Sequence, residues 1–177
     1  MYKSIPKKRY KITIDFLKKH LDQSTDILDL GIKNPLSELM ITEGFKVKNT
    51  KGEDLDEDRS LIETSDAKVV TAFEIFEHLL SPYEVLKSIK AEQLFISVPL
   101  KLWFSTAYKS KTDIWDRHYH EFEEWQLDWL LEKTGWKIND RIKWTHPVRK
   151  FGLRPLLRLF TNRYYLVYAY KVKNYEL

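Results

Sequence analysis

Three short stretches carry side chains able to bind a charged ligand or move a proton. In Ile27-Leu28-Asp29-Leu30-Gly31-Ile32-Lys33-Asn34-Pro35 an apolar run ends in a carboxylate and a glycine. A glycine there lets the backbone approach a ligand closely and adopt positive φ, and a strand-end carboxylate can accept from a cation or cap nearby amides. In Phe73-Glu74-Ile75-Phe76-Glu77-His78-Leu79 the adjacent Glu77 and His78 point apart on a helical turn, so one can line a pocket while the other packs. As an imidazole His78 is a candidate proton acceptor, although a structural histidine is the commoner role. The third stretch, WDRHYHEFEEW at 115–125, sets Arg117, His118, Tyr119 and His120 just before a helix. Arg117 can grip an anionic group in two parallel bonds, and His118 or His120 can act as base or orienter. Helix capping and solvent exposure are the plain alternative for all of them. With no cysteine and no third ligand at a telling spacing from His118 and His120, no metal is expected.

The composition is that of a folded chain. Its 177 residues are 43% hydrophobic and 32% charged, with few glycines and prolines, enough for a sizeable core without a metal or disulfide staple. The start, MYKSIPKKRYK, is basic with no apolar run behind it, and no stretch has the length of a membrane span. A cytoplasmic location is the expectation. The net charge of +4 is unevenly spread. Residues 52–66 are acidic, whereas Arg141, Lys143, Arg149, Lys150, Arg154, Arg158 and Arg163 crowd the C-terminal third. Such a third could face phosphate, nucleic acid or a membrane surface, or be a solvated face.

The elements that must position these groups follow from periodicity. Tyr10, Ile14, Leu17 and Leu21 make 7–21 an amphipathic helix, and 26–30 a short strand. Pro35 opens a short helix, 45–49 alternates as an edge-type strand, and 59–65 holds a turn of helix. AKVVTAF at 67–73 and QLFISVP at 93–99 are buried-strand patterns. Between them Ser81, Pro82 and Glu84 have the pattern of a capping box. A long aromatic loop, 100–120, is expected to be functional, because loops of that length are uncommon in compact domains. Phe122, Trp125, Trp129 and Leu130 mark a helix closed by Gly135. The segments 136–144 and 164–172 read as strands around a basic helix at 150–160, whose Leu153, Leu156, Leu157 and Phe160 are expected in the core. Strands alternating with helices predict an α/β layer fold on a mainly parallel sheet, with helices on both faces and an antiparallel final strand. Ligands in such sheets sit beyond the C-terminal strand ends, where Asp29, Gly31, Thr71, Phe73, Glu74 and Pro99 fall.

In that order of elements the chain resembles a class I S-adenosylmethionine-dependent methyltransferase of the small bacterial type. The resemblance rests on Asp29-Leu30-Gly31, on Phe73 to Leu79, on the strand Leu94-Phe95-Ile96-Ser97-Val98-Pro99, and on Leu131-Glu132-Lys133-Thr134-Gly135-Trp136 before the last strands. It covers roughly residues 22–142 and implies a Rossmann-like fold in a single domain over 1–177. The chain departs from the pattern where the family has a small residue and further glycines, since Ile32, Lys33, Asn34 and Pro35 stand there. Asn34 could still supply a left-handed turn. The connection from 49 to 67 is short enough that one family helix is expected to be missing. A nicotinamide enzyme is a poor alternative, lacking the glycine fingerprint and its carboxylate about 20 residues on.

The resemblance implies that S-adenosylmethionine is the cofactor, held by Asp29, Gly31, Glu53, Asp54 and Glu74. Asp29 would face the methionine ammonium, and Glu53 or Asp54 the ribose hydroxyls. His78, Arg117 and His118 are the candidate catalytic residues. The segment 100–120 would cover the acceptor, and 145–163 forms a basic segment before the last strand. The expected activity is methyl transfer to an anionic small molecule, phosphorylated or nucleotide-linked. An RNA methyltransferase and a non-catalytic binding protein on the same fold are the alternatives.

Overall fold

The computed structural model describes residues 6–148 and 150–172. Four parallel strands form its first part: β1 (Asp26–Asp29), β2 (Lys46–Asn49), β3 (Val69–Phe73) and β4 (Gln93–Pro99). β5 (Trp136–Thr145) and β6 (Asn162–Lys171) are long and antiparallel. β6 inserts between β4 and β5, giving the order β2-β1-β3-β4-β6-β5. The helices are α1 (Lys7–His20), α2 (Pro35–Thr42), α3 (Ser60–Glu63), α4 (Pro82–Ser88), α5 (Glu124–Lys133) and α6 (Leu153–Phe160), with a 3₁₀ turn over Phe76–His78.

Successive strand residues point to opposite faces, and the sheet uses both. Leu28, Val70, Leu94 and Ile96 face one core with Ile62 of α3, Val85 and Leu86 of α4, and Leu127 and Leu131 of α5. Ile27, Val69 and Phe95 face the other, built on Tyr10, Ile14 and Leu17 of α1 and Met40 of α2. Between β2 and β3 only the one-turn α3 remains, which accounts for the short connection read from the sequence.

Several expectations change. α5 buries Leu127 and Leu131, while Trp125 and Trp129 pack edge to face on the outside, because the apolar stripe was wide enough to allow either face inward. α6 buries none of its residues, so Leu153, Leu156 and Phe160 are not core. Trp144 of the strand at 136–144 stacks on Tyr164 and is buried. Ser81 makes no side-chain cap; its amide is held instead by Asp56 at 2.7 Å. Arg149 of the basic segment lies outside the described residues.

α1 is latched to the far edge of the sheet by charge. Asp140 of β5 accepts from Lys19 at 2.7 Å and lies 2.8 Å from His20 Nε2. The Lys19 bond, with lesser help from the Arg141 amide and His20, pulls the Asp140 carboxyl down to about 2. A carboxylate with a lowered folded pKa stabilises the fold above its unfolded value and loses that contribution as pH falls. The parent should therefore lose stability between about pH 4 and pH 2 partly through Asp140. Asp140→Asn should flatten that part of the curve, as read from urea midpoints across this range.

Candidate functional site

The connections out of β1 and β3 run in opposite directions along the sheet, so a crevice opens where their C-terminal ends diverge. A cavity of about 980 Å³ occupies it. Its walls are residues 29–36 after β1, 52–56 after β2, and 73–75 with 78–80 after β3. Arg9, Tyr10 and Thr13 of α1 close one side, and Ile114, Trp115, Arg117 and Tyr119 the other.

Asp29 is the floor. It is 3% exposed, and both oxygens are engaged: Oδ1 accepts from Thr71 at 2.7 Å, Oδ2 from Ser37 at 2.8 Å and Asn49 at 2.9 Å. Burial raises its pKa, and the three bonds work against that rise. The loop above it turns at Gly31, whose φ is +102° and whose amide donates to Thr50 Oγ1 at 2.7 Å. A Cβ at Gly31 would lie 3.3 Å from Ile75 Cδ1, and the positive φ would itself strain any side chain. Asn34 does not supply a left-handed turn. It is extended, with φ −143°, and its side chain accepts from the Leu36 and Ser37 amides as the N-cap of α2. Pro35 has no amide hydrogen to offer, so this helix start is closed to a pyrophosphate.

Glu53 presents an unused acceptor. Its Oε2 takes the Lys51 amide at 2.6 Å, whereas Oε1 is buried and has no hydrogen-bond partner among the described residues. Asp54 is exposed and caps its own turn through the Asp56 amide at 3.0 Å. Asp56 ties this loop to the β3–α4 connection by accepting from the Leu80 and Ser81 amides.

Glu74 sits at the end of β3 with φ +58°, a left-handed conformation costly for a glutamate. Its carboxylate accepts from Ser97 at 2.9 Å and pairs with Arg9 at 3.1 Å. Burial pushes its pKa up, and Arg9 and then Ser97 oppose the shift. Glu77, 1% exposed, is pushed well above the usual carboxylate range by burial first and by the Glu74 charge second.

His78 reaches the cavity wall, and its Nδ1 lies 3.0 Å from the Arg117 carbonyl. His118 packs behind it, with ring centroids 4.8 Å from both His78 and Tyr108. Burial lowers the His118 pKa, and the His78 charge adds to that. His120 turns away, toward the Leu80 carbonyl and the Phe122 ring. Of the residues singled out in the sequence, Asp29, Gly31, Glu53, Asp54, Glu74, His78 and Arg117 thus share one cavity, and His118 stands just behind its wall.

No protein-family model matches the chain, and no curated protein matches it either. Solved structures do. The 1,6-didemethyltoxoflavin-N1-methyltransferase of Burkholderia thailandensis superposes with a TM-score of 0.60 at 16% identity, covering 93% of this chain and 78% of its own. An S-adenosylmethionine-dependent methyltransferase from Archaeoglobus fulgidus gives 0.59 at 16%, covering 92% and 94%. The fold is that of the class I S-adenosylmethionine-dependent methyltransferases. A putative S-adenosylmethionine-dependent methyltransferase from Listeria monocytogenes is similar at 0.55 and 17%, covering 90% and 97%.

Within the methyltransferase fold, two contributions had no local signal in the sequence. Arg9 lies 65 positions from Glu74, and only the docking of α1 makes them partners. Asp56 belonged to an acidic run that read equally well as solvated surface. Both ends of the Arg9–Glu74 pair are 13% exposed, so removing the cation strands a buried carboxylate. Arg9→Ala should cost about 3 kcal/mol, and Glu74→Gln in that background should recover part of it. The stranded carboxylate would hold its proton higher in the folded than in the unfolded state. The Arg9→Ala variant should therefore lose stability as pH rises from 5 to 8, as measured by urea unfolding.

Proposed function

We propose that this chain transfers the methyl group of S-adenosylmethionine to a small-molecule acceptor in the β1–β3 crevice. The observation that carries the reading is Glu53, which lines the cavity just past β2 and whose buried Oε1 has no hydrogen-bond partner among the described residues. A carboxylate so placed suits the vicinal hydroxyls of a ribose, and Asp54, one of whose oxygens caps its own turn, lines the cavity beside it. Gly31 lets the backbone pass close to the cofactor, and Asp29 lies within reach of its ammonium group, directly or through water. Glu74, held by Arg9 and Ser97, forms the wall between cofactor and acceptor.

When bound, the cofactor supplies an electrophilic methyl on a sulfonium, and the protein's share is alignment and exclusion of water. Ile114, Trp115 and Tyr119 of the 100–120 segment make an apolar wall for a flat acceptor, and Arg117 offers it one cationic contact. That segment serves as the acceptor-side cover. His78, whose Nδ1 hydrogen is committed to the Arg117 carbonyl, holds the cover against the cavity wall on the acceptor side. The Burkholderia methyltransferase, with its bound 1,6-didemethyltoxoflavin and S-adenosylhomocysteine, supports a small-molecule acceptor here. The C-terminal basic residues are not part of this cavity. Arg154, Arg158 and Arg163 line a smaller one of about 330 Å³ with Lys109 and Lys111. That second cavity favours the RNA alternative, in which an extended acceptor would run across both.

Titration calorimetry with S-adenosylmethionine and S-adenosylhomocysteine tests the reading. The parent should bind both, and Glu53→Gln should weaken binding by about ten- to a hundredfold, the worth of a charge-assisted hydrogen bond. No heat at millimolar ligand would contradict the proposal. A labelled-transfer assay over metabolite and RNA pools then separates the alternatives. Arg117→Ala should lower transfer while leaving S-adenosylhomocysteine affinity unchanged. Transfer to RNA that falls steeply with salt would select the RNA reading, and binding without any transfer would select a binding protein.

A further inference from the structure

We propose that Glu77, His78 and His118 form a binding site for a divalent first-row transition-metal ion directly behind the cavity wall. One ligand atom from each of the three lies within 4.8 Å of the others. The site stands on these side chains alone and does not depend on the methyltransferase reading.

Two buried atoms there have no hydrogen-bond partner among the described residues: Oε2 of Glu77, a side chain 1% exposed, and Nδ1 of His118, which has the Glu121 carboxylate 3.7 Å away. A desolvated carboxylate oxygen with nothing to accept from is costly, and a cation is one of the few occupants that offsets the cost. The histidine tautomer fits as well. A carbonyl can only accept, so the 3.0 Å contact to Arg117 O puts the proton of neutral His78 on Nδ1. Its Nε2 lone pair then points into the cluster, 3.8 Å from Glu77 Oε1. A ring N–H on a backbone carbonyl with the other nitrogen free is the usual support for a ligating histidine.

The two segments are also tied together at the backbone. The Glu77 carbonyl accepts from the Tyr119 amide at 2.8 Å and from the His120 amide at 3.2 Å, which brackets His118 against His78. The guanidiniums nearby are engaged elsewhere, Arg9 on Glu74 and Arg163 on the Leu100 carbonyl. Ligand atoms around a tetrahedral metal stand about 3.4 Å apart, so the rings need to close by roughly an ångström. Two imidazoles and one carboxylate, with no thiolate, suit zinc, cobalt, manganese or iron(II) rather than calcium or magnesium, which take oxygen ligands.

The test is metal binding by the untagged full chain, stripped with a chelator and then titrated with cobalt(II) and zinc(II). One zinc per chain by elemental analysis is expected, with a visible cobalt spectrum displaced by zinc and a raised melting temperature. Glu77→Gln and His118→Ala should each weaken cobalt binding at least tenfold, and His120→Ala should leave it unchanged. Glu77→Gln keeps the side-chain shape while removing a buried charge, so apo protein of that variant should fold. Absence of binding at 100-fold excess metal, or binding that ignores both substitutions, would overturn the site. Either result would leave the calorimetry with S-adenosylmethionine unaffected, so the two proposals fail separately.

Discussion

The crevice depends on one buried carboxylate. Asp29 gathers Thr71 from β3, Ser37 from α2 and Asn49 from β2, so three elements converge on the end of β1. Each bond is charge-assisted and desolvated, which makes it stronger than its neutral counterpart and makes losing a donor expensive. With the three donors in place, the chain after Asp29 has few conformations left. It turns at Gly31, is held by Thr50, and enters α2 through the Asn34 cap. A loop without the usual further glycines keeps a defined shape because side-chain donors, not backbone freedom, set its course.

From that floor the site extends outward as a series of buried acids. Glu74 and Glu77 follow Asp29 at the adjacent strand end, and burial raises the pKa of all three. The molecule meets this cost differently each time: neutral donors around Asp29, a guanidinium from α1 at Glu74, and at Glu77 an Oε2 without a hydrogen-bond partner among the described residues. α1 is therefore part of the site and not only a layer over the sheet. Its latch to Asp140 at one end and its Arg9 at the other hold the same helix.

Much of this was legible in the sequence, and the exceptions have physical reasons. β4 was read with its observed bounds because Gln93–Pro99 is a continuous apolar run stopped by proline. The crevice residues were readable because strand ends in a parallel sheet all face one side. Asn34 was misread because asparagine suits both a left-handed turn and an N-cap, and Pro35 next to it decides for the cap. Trp125 and Trp129 were misplaced because hydrophobicity alone does not say which of two adjacent stripes the sheet accepts. Arg9 could not be assigned at all, since its role exists only once α1 has docked. The Glu77, His78 and His118 cluster was hidden for the same reason, as no local spacing joins His118 to a pair some forty positions earlier.

The most direct measurement of the central claim is a crystal structure of the chain with S-adenosylhomocysteine. The account places the ribose hydroxyls within hydrogen-bond distance of Glu53 Oε1 and the amino-acid end over Gly31, beside Asp29. A cofactor bound outside the β1–β3 crevice, or one inside it with Glu53 still unpaired, would contradict the account.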